Sequence, residues 1–521
     1  MSNSSSKNYA ITTPIYYVNG LPHIGHTYTS IICDTVARYQ RQLGNNVFFL
    51  TGTDEHGDKI VKAAEKVQKT PQEFTDEISG IFRNTWQGLD ISNDDFIRTT
   101  DDRHKKVVQT VLKNIYDKGD IYLAEYEGLY CYGCERYLTE KELGENEECP
   151  DHKTKPERIK EKNYFFKLQK YIVQWEELLK ANPDLIQPKQ YYNEVLGTIQ
   201  ELKKLKEDLS ISRPKTRLDW GITLPFDEAY VTYVWFDALL NYISSLDYPD
   251  GANYSDYWPQ MRHVIAKDIL KPHGIFWPCM LMAAGIPIFQ NLFVHGYWLG
   301  VSDEKMSKSL QNARDPIELK ERLGGVDLLR YFLVREMHFG SDSKFSNELL
   351  EQRINQDLAN NIGNLLQRTL SMHIKYFEGA YSADEKDHSI KDFIDKEITI
   401  MVKDYHKFFA HFQFHKALEL IFQLAQTMNQ QIEEYQPWTK AKEGDPQLKS
   451  FLQTIIKTTI FLFFYLKPVL PEISEKVIGL IKATSENSFP ADLNEVSIPD
   501  QTIEKWPILF PRLDLSKGWV E

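Results

Sequence analysis

The chain has no hydrophobic run long enough to cross a membrane, no surplus of basic residues and few cysteines. Its most apolar stretch, Thr458 to Leu466, is bounded by Lys457 and Lys467. That is far short of the roughly 20 residues a membrane helix needs, so a buried helix is the reading. Lys and Arg number 61 against 74 Asp and Glu, a formal net charge of −13. This withholds the basic footprint usual in nucleic-acid binders, although a local basic stripe leaves an RNA partner open. The 5 cysteines, Cys33, Cys131, Cys134, Cys149 and Cys279, are an odd number. The opening Ser-Asn-Ser-Ser-Ser-Lys stretch lacks the apolar core of a secretory signal. A disulfide scaffold is thereby disfavoured, and a reducing cytoplasmic setting without a membrane is expected.

What is present allows a large core. Of the 521 residues, 42% are hydrophobic and 26% charged, enough for roughly three domains of about 150 residues each. Tyr9 to Thr13 is β-prone, and Pro14 to Gly25 is a Pro- and Gly-bearing loop. From Thr27 a helix follows, with Tyr28, Ile32, Val36, Tyr39 and Leu43 at helical spacing and Gly44 as its C-terminal stop. Val47 to Leu50 is a fully apolar strand that leads into Asp54. His263 to Ala266 and Asn291 to Val294 read as further core strands, and Val231 to Asp237 is strand-like. Apolar strands alternating with helices predict an α/β fold with a parallel sheet, whose ligands sit at the carboxyl ends of the strands. Residues 122–226 break this pattern and read as an insertion, with a helix near Tyr171 to Lys180. After Lys344 amphipathic helices follow one another to about Ile481, which predicts an α-helical bundle. The tail from Pro507 to Arg512 is expected to dock on the body.

Two distant segments carry the chemistry. Pro22-His23-Ile24-Gly25-His26 precedes a helix whose N-terminus can hold phosphate, with His23 and His26 as donors and Gly25 leaving bare backbone for a flat base. Lys305-Met306-Ser307-Lys308-Ser309 is a polar loop whose lysines suit a flexible clamp. Taken singly, one is equally a surface turn and the other a solvated charge run. Together, in this order, they point to carboxylate activation through an acyl-adenylate. Cys131-Tyr-Gly-Cys134 with Cys149-Pro-Asp-His152 has the spacing of a tetrahedral Cys3His zinc site. Four filled positions make that site structural.

The two segments resemble the HIGH and KMSKS signatures of class I aminoacyl-tRNA synthetases. The stretches Thr13 to His26, Gly52 to Gly57, Tyr233 to Ala238, Phe293 to Tyr297 and Tyr465 to Pro471 resemble the methionyl-tRNA synthetase family in particular. The resemblance implies a Rossmann-type catalytic domain in two halves (1–121 and 227–295) split by a zinc-bearing connective insertion (122–226). It further implies a KMSKS and stem-contact region (296–350) and a helical anticodon-binding domain with a tail (351–521). It implies ligation of L-methionine to tRNA(Met) with ATP, and Mg2+ accompanying the nucleotide. His23, His26, Lys305 and Lys308 would then be catalytic, and Gly25, Lys267 and Asp268 would meet ATP. Asp54 would bind the substrate ammonium. Ile15, Tyr17, Arg213, Trp235, Tyr242, His273 and Trp277 would line the methionine site, where aromatic rings suit a soft thioether. Pro272, just before His273, replaces an aromatic found there in some members. Asn364, Arg368 and Trp438 would read unpaired anticodon bases. Simple core or helix packing is the competing reading for each of these aromatics.

Two rivals stand beside this reading. A sister synthetase for Ile, Val or Leu would need a large editing domain, for which 122–226 is too short. A tRNA-binding paralogue without catalysis would be expected to lack the His, Lys and Asp54 groups that are intact here. No appended dimerising domain is visible in the sequence, so a monomer is expected.

Overall fold

The computed structural model describes residues 6–131, 136–138, 140–144, 146–150, 153–300 and 314–514. They fall into two compact units, Met1–Asp34 with Asn46–His295, and Thr35–Asn45 with Gly296–Glu521.

The first unit is built on a seven-stranded sheet of β1 (Asn8–Thr12), β2 (Tyr16–Tyr17), β3 (Asn46–Asp54), β4 (Asp95–Arg98), β5 (Ile186–Gln187), β6 (Met261–Ala266) and β7 (Asn291–His295). The order is β2-β3-β1-β6-β7-β5, with β4 also joined to β3, and every pairing is parallel. Ala10, Ile11, Phe49, Leu50, Val264, Ile265, Leu292 and Val294 are all fully buried. Strands covered on both faces need such continuous apolar runs, which explains why they were legible as strands.

Between β2 and β3 runs α1 (Ile24–Gln42), followed by Gly44 at φ 83°. It begins three residues before the expected Thr27, so His26 lies in its first turn. Leu43 is 44% exposed and does not belong to the expected apolar face. After β4 comes α2 (Asp102–Asp117). Strands Ile121–Cys131 and Glu157–Phe166 then form a long antiparallel pair, extended by Arg136–Leu138 and Leu209–Ser210. Within this span Ile186–Gln187 stands outside the antiparallel sheet and pairs with β7. Two residues are too short to show a period.

The stretch from Val231 to Asp237 is not one strand. The strand Asp227–Thr232 ends, and α3 (Val234–Ala238) starts when the Phe236 and Asp237 amides bond the Tyr233 carbonyl at 3.0 and 3.2 Å.

The second unit is helical, as expected after Lys344. Its central helix, Leu448–Leu466, is buried at every position except Lys449 and Lys457. Thr454, Thr458 and Thr459 enter that core by donating their hydroxyls to the carbonyls four residues back, each at 2.8 Å. The buried Arg330 guanidinium donates to the Pro468 and Val469 carbonyls, both at 3.2 Å, where a helix end favours a cation. The tail docks as expected: Asn355 and Leu513 exchange hydrogen bonds of 2.9 and 2.8 Å, and Phe510 is buried.

One contact fixes the approach of β4 to β3. A Cβ on Gly52 would lie 2.0 Å from the Ile97 carbonyl oxygen. Gly52→Ala is expected to lower stability by about 1–3 kcal/mol, as overpacking of a tight core does. Gly80→Ala, in the helix Pro71–Gly88 with nothing within 4 Å of the new Cβ, is expected to raise it by about 0.5–1 kcal/mol. Thermal unfolding of the two variants side by side is the check; equal shifts would contradict the packing at Gly52.

Candidate active site

The loops after β2, β3, β6 and β7 leave the sheet at one edge, because parallel strands all end there. The first carries the two histidines to the start of α1. His23 and His26 are half-buried, with ring centroids 3.8 Å apart and planes 24° from parallel. The Gly25 amide donates to His23 Nδ1 at 3.1 Å, and the His23 amide to His26 Nδ1 at 3.4 Å. With both Nδ1 atoms accepting, each neutral ring carries its hydrogen on Nε2, an assignment made from these bonds. The pair is thus built as two adjacent donors beside a helix N-terminus. A Cβ on Gly25 would lie 2.9 Å from His23 Cε1, so glycine is what lets the ring fold against the turn. Tyr16 secures the same turn: its hydroxyl reaches the His26 carbonyl (3.1 Å) and Ser30 Oγ (2.8 Å). At the end of β7 the buried His295 holds Thr29 of the same helix at 2.8 Å.

The β3 loop presents Asp54, 6% exposed, and is held on both sides. Next to it Glu55 is wholly buried, with Arg98 donating twice to its carboxylate (2.8 and 2.9 Å). Thr53 and Thr100 add hydroxyl donors at 2.6 and 2.5 Å. Trp220 Nε1 donates to the Glu55 carbonyl at 2.6 Å, and the Tyr17 hydroxyl donates to the His56 carbonyl at 2.9 Å. His56 Nδ1 meets Asp237 Oδ2 at 2.6 Å, and His104 Nε2 meets Asp237 Oδ1 at 2.7 Å. Burial, the largest influence, pushes the Asp237 pKa up. The two imidazoles outweigh it, and the carboxyl lies below the usual range.

The aromatic residues expected around methionine gather next to this loop. The Tyr242 hydroxyl lies 2.8 Å from His273 Nε2, and His273 Nδ1 lies 2.9 Å from the Ile269 carbonyl. A carbonyl only accepts, so His273 Nδ1 carries the hydrogen and Tyr242 donates to Nε2. Burial pushes the His273 pKa down to about 4, against weaker opposition from the Ile269 carbonyl and Asp268. The ring is therefore neutral near pH 7. Trp235 is half-buried with its ring edge-on to His273 at 6.4 Å, and Ile15 is partly buried on the same core. Trp277 is fully buried. Its Nε1 donates to His263 Nε2 at 3.3 Å, so it backs the cluster rather than facing solvent.

Lys267 is half-buried and Asp268 exposed on a single turn after β6. Arg213 is buried. Its Nη1 donates to the Ser212 carbonyl (2.6 Å) and to Ser210 (3.1 Å), and its guanidinium lies over Tyr130 and Tyr233 at 5.1 and 4.8 Å. A cavity of about 460 Å³ opens beside it, lined also by Leu168, Lys271 and Phe276 but not by Asp54 or Tyr242.

Lys305, Lys308, Cys134 and His152 lie outside the described residues. Cys131 and Cys149 are buried in one small cluster with Leu138. Among the described residues no group of three or more His, Cys, Asp or Glu is arranged to hold a metal, and no helix is long and apolar enough to cross a membrane. In the second unit Asn364 is exposed, and its amide lies 3.4 Å from Asn429. Arg368 pairs with Glu433 at 2.6 Å and lies 5.2 Å over the half-buried Trp438 ring.

The class I tRNA synthetase model "tRNA synthetases class I (M)" matches residues 9–155 and 145–370. The methionine–tRNA ligase of Fusobacterium nucleatum is 40% identical, over 98% of this chain and 81% of that one. The chain belongs to the methionyl-tRNA synthetase family. The Bacillus subtilis methionine–tRNA ligase is also 40% identical, over 98% of this chain and 78% of its own. A Mycobacterium tuberculosis methionyl-tRNA synthetase bound by methionyl-adenylate superposes with a TM-score of 0.90 at 35% identity, covering 97% of this chain and all of that one.

Sequence reasoning missed Glu55, His56, His104, Asp237 and His263. Glu55 and His56 stood inside the stretch Gly52 to Gly57 and Asp237 inside Tyr233 to Ala238, but none was given a role, and Asp237 also lay in a stretch read as strand. For His273 the sign of the pH effect is defined. Its folded pKa of about 4 lies below the ordinary 6.5, so its contribution is intact above pH 6.5. It declines as pH falls toward 4, by up to about 1.4 kcal/mol per unit. The difference in unfolding free energy between His273→Gln and the unsubstituted chain is expected to shrink over that window. A difference that stays constant from pH 7 to pH 4 would contradict the neutral buried ring.

Proposed function

We propose that the chain ligates L-methionine to tRNA(Met), using ATP to form methionyl-adenylate and releasing pyrophosphate and then AMP. The observation that carries the reading is the convergence at one sheet edge of a paired-imidazole helix start with Asp54 and a cluster of aromatic rings. The family relationship supports the same reaction.

The methionine carboxylate is already ionised and attacks the α-phosphorus, so neither nucleophile nor general base is required of the protein. Its task is positioning and charge stabilisation. Asp54 binds the ammonium. Ile15, Tyr17, Trp235, Tyr242 and His273 shape the side-chain cavity, with Trp277 behind them and Arg213 toward the carboxylate and phosphates. His23 and His26 donate to the phosphates as charge grows on them, with Gly25 under the adenine and Lys267 and Asp268 at the ribose. Lys305 and Lys308 hold the leaving pyrophosphate. Mg2+ bound with ATP supplies further charge neutralisation. In the second step a terminal ribose hydroxyl of the tRNA attacks the adenylate.

Residues 351–521 carry the anticodon-reading part, where Asn364 and Arg368 bond base edges and Trp438 offers a stacking face. The remaining proposed divisions are 1–121 and 227–295 for catalysis, 122–226 for the insertion and 296–350 for the KMSKS and stem-contact region. Cys131, Cys134, Cys149 and His152 form one structural zinc site. The joint burial of Cys131 and Cys149 fits shielded thiolate ligands, and the metal would cross-link the insertion. The protein works as a monomer in the cytoplasm.

Methionine-dependent ATP–pyrophosphate exchange tests the reading, and its absence would overturn it. In that assay Lys308→Ala is expected to lower the rate by about tenfold or more, roughly 1.4 kcal/mol, with little change in methionine affinity. An unaltered exchange rate would refute the role of Lys308. Cys131→Ser is expected to lose zinc, measured by elemental analysis, and to melt earlier. Full zinc content with unchanged melting would refute the ligand set.

A further inference from the structure

We propose that Asp237 is a positioning residue that fixes the loop bearing Asp54 to the helix bearing Trp235, and so sets the width of the methionine cavity. The inference rests on the reading of that cavity given above. Asp237 and Trp235 share α3, a five-residue helix. Across from it, His56 follows Asp54 by two residues, and the His56–Asp237 bond of 2.6 Å is the direct tie between them. The carboxylate is wholly buried and His56 is 4% exposed, so water does not compete for the bond.

The hydrogen bonds around His104 indicate how a buried carboxylate is tolerated there. Ser244 Oγ lies 2.7 Å from the Leu240 carbonyl, which can only accept, so the hydroxyl hydrogen points that way. Oγ then offers a lone pair to His104 Nδ1 at 3.0 Å. His104 Nε2 donates to Asp237 at 2.7 Å. Both nitrogens of His104 are thereby engaged, and the ring stays locked between Ser244 and Asp237. Among the described residues the second carboxylate oxygen meets His56 alone. His56 in turn accepts from Tyr17 through its carbonyl, so one anion orients the ammonium loop, one aromatic wall and the helix of another.

A general structural role would lower stability without selecting one substrate. A positioning role should raise the KM for methionine. In pyrophosphate exchange, Asp237→Asn and His56→Ala are expected to raise it by about tenfold or more, while kcat and the KM for ATP change by less than about threefold. His56→Asn, whose amide can replace the Nδ1–H donor, is expected to return the methionine KM to within about threefold of the unsubstituted value. A folded His56→Ala variant with unchanged methionine KM would overturn the proposal, as would an Asn variant no better than Ala. If Asp237→Asn does not fold, the His56 pair decides alone. Failure of the unsubstituted chain to exchange would instead overturn the reading of the cavity itself.

Discussion

The candidate site depends on the parallel pairing of β1, β3, β6 and β7. Parallel strands deliver all their C-terminal loops to one edge, so groups far apart in sequence meet without any one segment being long. His23 and His26 follow β2, the short strand after β1; Asp54 ends β3, Lys267 and His273 follow β6, and His295 ends β7. The pairing is enforced from within by burial on both faces, and the close approach of Gly52 to Ile97 seats β4 against β3. A slip of one residue would reverse every side chain and break the edge apart.

The edge is held rigid by buried charge rather than by apolar packing alone. Glu55 is saturated by Arg98 and threonine hydroxyls, and Asp237 is bracketed by two imidazoles. Buried ions stripped of a partner are costly, so these networks have few alternative arrangements. His263 and His273 take the opposite course: burial pushes both pKa values down and the rings stay neutral. Anionic anchors in the loop and neutral rings in the cavity suit an apolar side chain carrying a charged ammonium.

The strands of the sheet were legible because full burial forces apolar runs, and the helical region because its periodicity is long. The two-residue strand Ile186–Gln187 was not, since register with β7 is settled by tertiary contact. The helix at Val234 was misread because Val231 to Phe236 is β-prone in composition, and the turn comes from backbone bonding to Tyr233. Candidate roles were read only where a motif gave them a chemistry. His104 stands in no motif, and the motif around Asp237 does not reveal its partner, which folding brings within 2.7 Å.

The most direct measurement is a crystal structure of the chain with a non-hydrolysable methionyl-adenylate analogue. The expected result has the phosphate mimic at the start of α1 beside His23 and His26, the ammonium on Asp54, and the thioether among Trp235, Tyr242 and His273. An analogue bound elsewhere, or bound at this edge with its ammonium away from Asp54, would contradict the account.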